Sequence, residues 1–185
     1  MTKVLIPLAT GFEEIEAITI VDVLRRGGVD IVTAAIGDSL SVDGLHGMTL
    51  KADALFANVK DDEYAAIILP GGGEGTENLK ASDSLLQRLK RQHDEGGYLC
   101  AICAAPLVLL AAGVLDEGVS VTCYPSCQLE LDREWSSAPV VVDGNVITGQ
   151  APGSAMLFAL VVLQELVGAI IAGKVARGMV SDVLN

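Results

Sequence analysis

Residues 98–106 read YLCAICAAP, and the fold turns on how the two cysteines in that stretch are taken. As a pair they suggest zinc or a disulfide; taken apart, they are a buried strand running into a turn. C-x2-C at Cys100 and Cys103, then C-x3-C at Cys123 and Cys127, superficially matches a zinc-ribbon spacing. Zinc knuckles sit on polar, glycine-containing turns, whereas Cys100 lies inside an apolar run and the second pair spans Tyr-Pro-Ser, so no metal is expected. A redox pair fits no better. Residues three apart in a strand lie about 10 Å apart, and a disulfide needs Cα atoms within about 7 Å. The stretch therefore reads as a strand ending near Ile102. Cys100 is a small core hydrophobe, and Cys103 occupies the turn into a helix. A thiol there feels the positive end of the helix and can ionise near neutral pH. Its small neighbours allow the strained turn of a nucleophile elbow. On local features alone, Cys103 is either a nucleophile or a buried structural thiol.

The same pattern continues outward. Runs apolar on both parities occur at 3–9, 30–36, 65–70, 97–102 and 119–122, as expected of strands covered on both faces. Helical patterns separate them: Glu13 to Arg26, stopped by Gly27-Gly28; 82–97, capped by Ser82 or Asp83 and stopped by Gly96-Gly97; and a segment after Pro106. Residues 138–149 resemble a hairpin around Asp-Gly, and 154–168 and 170–184 read as helices. Strands alternating with helices over 1–185 predict a single α/β domain with a mainly parallel sheet and helices on both faces. Sites in such folds form outside the carboxyl ends of the strands.

Composition narrows the function classes. The chain has 185 residues, 51% hydrophobic and 4% aromatic, and 12 Lys+Arg against 24 Asp+Glu give a net charge of −12. That field repels phosphate backbones and anionic lipid, which weighs against nucleic-acid and membrane-surface partners. No basic region followed by an apolar stretch and a cleavage site opens the chain, and no apolar run reaches a membrane span, so a cytoplasmic location with reduced thiols is expected.

Four segments should meet at one rim of the sheet: ATGFEEIEA (9–17), LPGGGEG (69–75), AICAAP (101–106) and VTCYPS (121–126). The glycine run is neither a Walker loop nor GxGxxG. It is either a flexible turn or a set of backbone N–H groups aimed at an oxyanion. Glu13 and Glu14 fit the solvent-facing acids common at helix N-termini, whereas Glu16 can point back toward the elbow. A carboxyl buried against a thiolate would have a raised pKa and donate a hydrogen bond to sulfur. Of the two histidines, His93 is expected to face solvent, and His46 sits in a loop from which it can reach the rim.

Taken together and in this order, these segments resemble the DJ-1/PfpI superfamily, in its DJ-1-like (ThiJ/YajL-type) branch. The resemblance covers essentially the whole chain. It implies a flavodoxin-like α/β domain, a homodimer, no cofactor, and Cys103 as the reactive, oxidation-prone cysteine on a nucleophile elbow. It further implies Glu16 as the protonated partner and the amides of Gly72 and Ala104 as oxyanion donors. The implied activity is glyoxalase or deglycase chemistry on methylglyoxal and other small α-oxoaldehydes or their glycated adducts on protein or nucleotide, in carbonyl and oxidative stress defence. Redox sensing or chaperone-like protection through oxidation of Cys103 is the alternative. Tyr124 stands where DJ-1-like proteins often carry histidine, and Ala104 where the protease-like branch has one, so peptidase activity is not expected. Tyr124, His46 and Cys123 are possible auxiliaries, and Cys123 and Cys127 are expected near the same rim.

Overall fold

The structure, a computed structural model, describes residues 2–182. In chain order it runs β1 (Lys3–Leu8), α1 (Glu14–Arg26), β2 (Asp30–Ala35), β3 (Ser41–Asp43), β4 (Thr49–Lys51), β5 (Ala54–Leu55), α2 (Phe56–Val59) and β6 (Ala66–Leu69). It continues with α3 (Gly73–Lys80), α4 (Asp83–Asp94), β7 (Tyr98–Ile102), α5 (Pro106–Ala111), β8 (Ser120–Val121), α6 (Gln128–Leu131) and β9 (Glu134–Trp135). The hairpin strands β10 (Val140–Asp143) and β11 (Val146–Gly149) precede α7 (Ala155–Val167) and α8 (Ala169–Gly178).

Strand parity explains the layers. On β1, Val4, Ile6 and Leu8 join Ile20 and Leu24 of α1 and Phe158 and Leu163 of α7 in one core. Leu5, between them, joins Leu69, Leu99 and the α4 residues Leu85 and Leu89 in a second core on the opposite face. Such strands have no solvent side, hence their unbroken apolar runs. The main sheet has seven strands in the order β10-β11-β7-β6-β1-β2-β5. Every neighbouring pair is parallel except β10 with β11, the antiparallel edge. This is a mostly parallel, flavodoxin-like sheet with helices on both faces.

The sequence reading needs adjustment in places. The 119–122 run does not enter the main sheet: β8 pairs with β9 in a separate two-stranded sheet, because two residues bury too little to compete for an edge. The glycine run read as a turn over 69–75 is shorter than that, because α3 starts within it at Gly73. The β3–β4 hairpin was not predicted. The helix expected over 170–184 ends at Gly178, followed by Val180 at φ 56°; residues 183 and 184 lie outside the described residues. His93 is partly buried rather than fully solvent-facing. No helix among the described residues is long and apolar enough to cross a membrane.

Candidate active site

The turn after β7 places Cys103 at φ 64°, in the left-handed region a side chain rarely occupies. Holding a non-glycine residue there costs about 1–3 kcal/mol, and the surrounding hydrogen bonds fix it. Cys103 N–H donates to Gly149 O at 2.9 Å, Tyr124 N–H donates to Cys103 O at 2.8 Å, and Ala105 N–H closes the turn on Ile102 O at 3.0 Å. Thus β11 and the segment after β8 both grip the elbow. The sulfur is aimed away from the strand, while Cys100 stays in the core, fully buried.

The glycine run supplies the next layer. Gly71 N–H donates to Glu16 Oε2 at 2.7 Å. A Cβ on Gly71 would lie 2.7 Å from Cys103 Cβ and 2.8 Å from Glu16 Oε2, so only glycine lets the carboxyl and the thiol meet. Gly72, at φ 96°, packs so closely on Gly11 O that a Cβ would stand 2.2 Å from it. That contact interlocks the loop after β6 with the loop after β1. The backbone N–H groups of Gly72 and Ala104 donate to the Cys103 sulfur. Sequence reasoning passed over Gly71; its only signal was its place inside the run.

Glu16 is completely buried. Burial pushes its carboxyl up to about 7, against the Gly71 and Cys103 hydrogen bonds that favour the charged form. Oε1 has no hydrogen-bond partner among the described residues, while the carboxyl as a whole stands against the Cys103 thiol. Since Oε2 accepts from Gly71, a proton on this carboxyl belongs on Oε1. Burial and the Glu16 charge push the Cys103 thiol up to about 12, while the Ala104 and Gly72 amides pull it down. The field of the following helix therefore does not ionise Cys103 by itself, contrary to the sequence expectation: α5 has only six residues, and desolvation outweighs its dipole. The two groups titrate as a pair. Over a broad range they hold one proton between them: on sulfur it leaves Glu16 a carboxylate, and moved to Glu16 it leaves a thiolate facing the two amides.

Glu13 and Glu14 are buried, at 6% and 4% exposure, not solvent-facing as expected. Glu14 Oε1 accepts from His46 N–H at 2.7 Å and Met48 N–H at 3.4 Å, and its Oε2 lies 3.0 Å from His46 Nδ1. Glu13 Oε2 stands 3.5 Å from the same nitrogen. These carboxylates clamp the β3–β4 turn onto α1 and bring His46 to the rim. The hydrogen bonds with His46 and the hairpin amides hold Glu14 below the usual carboxylate range despite its burial, and raise His46 in turn.

Cys103, Ala104, Gly72, His46, Tyr124 and Cys127 line one cavity of about 540 Å³. Cys123 does not: it is fully buried in the second core, its sulfur against Trp135. The cysteine that reaches the cavity from this segment is Cys127. Among the described residues the one tight convergence of metal-type donors is Glu13, Glu14 and His46, within 4.8 Å of one another, and it is held by hydrogen bonds between its own members; no such group contains a cysteine.

The sequence signature of the DJ-1/PfpI family spans residues 2–165. The chain belongs to the DJ-1/PfpI family. Its similarity to "Protein dj-1beta" of Drosophila melanogaster is 38% identity over 178 residues, 95% of each chain. The solved Drosophila melanogaster DJ-1beta structure superposes with a TM-score of 0.94 at 36% identity, covering 97% of this chain and 98% of the other. "Protein DJ-1 homolog B" of Arabidopsis thaliana is 38% identical over 90% of this chain, which spans only 38% of that longer protein; for "Protein DJ-1 homolog A" the span is 43%. An archaeal relative from Pyrococcus abyssi, 33% identical over 82% of this chain and 91% of its own length, is named a deglycase. Within the DJ-1/PfpI fold, then, this chain brings the Cys103 thiol and two convergent amides to the wall of a cavity, with the protonatable carboxyl of Glu16 buried behind them.

Proposed function

We propose that the protein is a cysteine-dependent, cofactor-free glyoxalase or deglycase that converts methylglyoxal or its adducts on protein or nucleotide into a 2-hydroxy acid. The observation that carries this reading is the Glu16–Cys103 pair, with the Gly72 and Ala104 amides converging on its sulfur. The Cys103 thiolate adds to the aldehyde carbon, and the new oxyanion forms beside the two amides that otherwise meet sulfur. Glu16 Oε1–H protonates it. The resulting carboxylate removes the hydrogen from that carbon and returns it to the neighbouring carbon through an enediol. The aldehyde carbon is oxidised as the ketone carbon is reduced, so no external redox partner enters. Water then cleaves the thioester and frees Cys103. In this reading Tyr124, on the cavity wall, donates a hydrogen bond to the substrate. The deglycase name of the archaeal relative supports the substrate class.

Exposed Ile15 and Ile18 on α1, with Leu45 and Met48 on the β3–β4 turn, form an apolar face beside the cavity that suits a homodimer. A cytoplasmic location suits a thiol that must stay reduced.

The second reading is a redox sensor or protective protein. Glu16 and the two amides would equally stabilise a sulfenate or sulfinate on Cys103, and a Toxoplasma gondii DJ-1 with 34% identity and a TM-score of 0.94 is described as oxidized. Lactate formation from methylglyoxal by wild type, Cys103→Ser and Glu16→Ala separates the two. The enzyme reading expects turnover in wild type and its loss in both variants. Negligible wild-type turnover, with peroxide adding oxygen only at Cys103, would leave the sensor.

A further inference from the structure

The last step of that reaction needs a base that water can reach, and Glu16 does not meet the requirement. It is completely buried, with Oε2 engaged by Gly71 and Oε1 out of reach of solvent. Glu13 borders the cavity but is 94% buried, at 6% exposure. The accessible titratable group in the lining that suits neutral pH is His46, whose side chain is 67% exposed.

We infer that His46 and Glu14 form a second catalytic pair, in which His46 Nε2 activates the water that hydrolyses the acyl group on Cys103. The inference rests on the proposed thioester but not on which substrate makes it. Glu14 is held below the usual carboxylate range by the His46 and Met48 amides and the ring, so its Oε2, 3.0 Å from Nδ1, can only accept. The ring proton therefore sits on Nδ1, and the lone pair is left on Nε2, which has no protein partner among the described residues. This is the logic by which a buried carboxylate sets the tautomer of a catalytic histidine. The turn is fixed as firmly as the ring. Glu14 Oε1 accepts two of its backbone amides, and a Cβ on Gly44 would stand 2.4 Å from that oxygen.

In the step, water loses a proton to Nε2 as its oxygen bonds to the acyl carbon beside the Gly72 and Ala104 amides. The carbon–sulfur bond then breaks, Cys103 leaves as thiolate with the bonding pair, and the imidazolium passes its proton to solvent. The charged groups facing the ring are Glu14 and Glu13 from α1; across the cavity stand the Cys103 thiol, Cys127 and Tyr124. Both carboxylates favour the protonated ring, so hydrolysis rises with pH as His46 deprotonates.

The test uses two substrates on the full chain: methylglyoxal, followed by lactate, and p-nitrophenyl acetate, which acylates Cys103 directly, with deacylation followed at that residue by mass spectrometry. His46→Gln and His46→Ala are expected to slow deacylation about 10²-fold or more and flatten its pH limb. With methylglyoxal they should accumulate a hydroxylamine-sensitive adduct on Cys103. Free imidazole should restore part of the rate to His46→Ala and none to His46→Gln, which a merely structural role would not produce. Glu14→Gln should slow deacylation as well, because its amide nitrogen would turn the ring to the wrong tautomer. Unchanged deacylation in both His46 variants, or slowing without imidazole rescue, overturns the assignment. Absent lactate in wild type with His46-dependent deacylation would sink the glyoxalase reading while leaving this one standing.

Discussion

Glu14 and Glu16 stand two residues apart in the first turn of α1, both almost fully buried, yet burial leaves them in opposite states. Glu14 accepts two backbone amides and faces an imidazole, and is held ionised. Glu16 accepts one amide and faces a sulfur, and is raised to about 7. Desolvation pushes both upward; the number of donors each receives decides the outcome. One helical turn thus holds a fixed negative charge on one side and a mobile proton on the other.

The largest effect that would sharpen this contrast is on turnover. Glu16→Ala should lower lactate formation about 10²–10⁴-fold, the range for losing a positioned acid–base group. Equal activity in that variant would mean the proton at Oε1 has no part in the chemistry.

Stability against pH comes next. A carboxyl whose folded pKa is raised from 4.5 to about 7 binds more protons folded than unfolded between those values. Its contribution is fully present below about 4.5 and is lost as pH rises through about 7, a change of about 3 kcal/mol. Urea midpoints between pH 4.5 and 8 should fall in wild type and fall less in Glu16→Gln. His46, also raised, adds a decline above its unfolded value in both proteins. Glu14, lowered, acts with the opposite sign and below this window. Identical pH slopes in wild type and Glu16→Gln would break the comparison.

Gly71→Ala should cost about 1–3 kcal/mol, read as a lowered urea midpoint, because its Cβ would press on Cys103 and Glu16 together. A neutral outcome would show that the pair has room to part. The smallest effect expected is for Glu14→Gln, about 1 kcal/mol in the same measurement, since the amide oxygen still accepts from the hairpin.

What could be read from the chain followed the range of its signals. The parallel sheet, the elbow at Cys103 and the inward turn of Glu16 each rest on patterns of a few adjacent residues, and all three stand in the structure. Glu14 escaped because its partners lie 32 and 34 residues away, on three-residue strands with no pattern of their own. Cys123 was misplaced for a related reason: the turn that sends it into the second core is set by the pairing of β8 with β9, and Glu134–Trp135 carries no strand signature. The thiol's expected acidity failed because a local argument counted the helix end and not the burial around it.

That small second sheet also determines what an optical probe reports. The chain has one tryptophan, and it is Trp135, partly buried on β9 with its indole against the Cys123 thiol. Its emission is therefore expected to follow the β8–β9 annex, whereas far-ultraviolet dichroism follows the helices around the main sheet. Denaturation curves from the two signals will coincide only if annex and sheet come apart in one cooperative event.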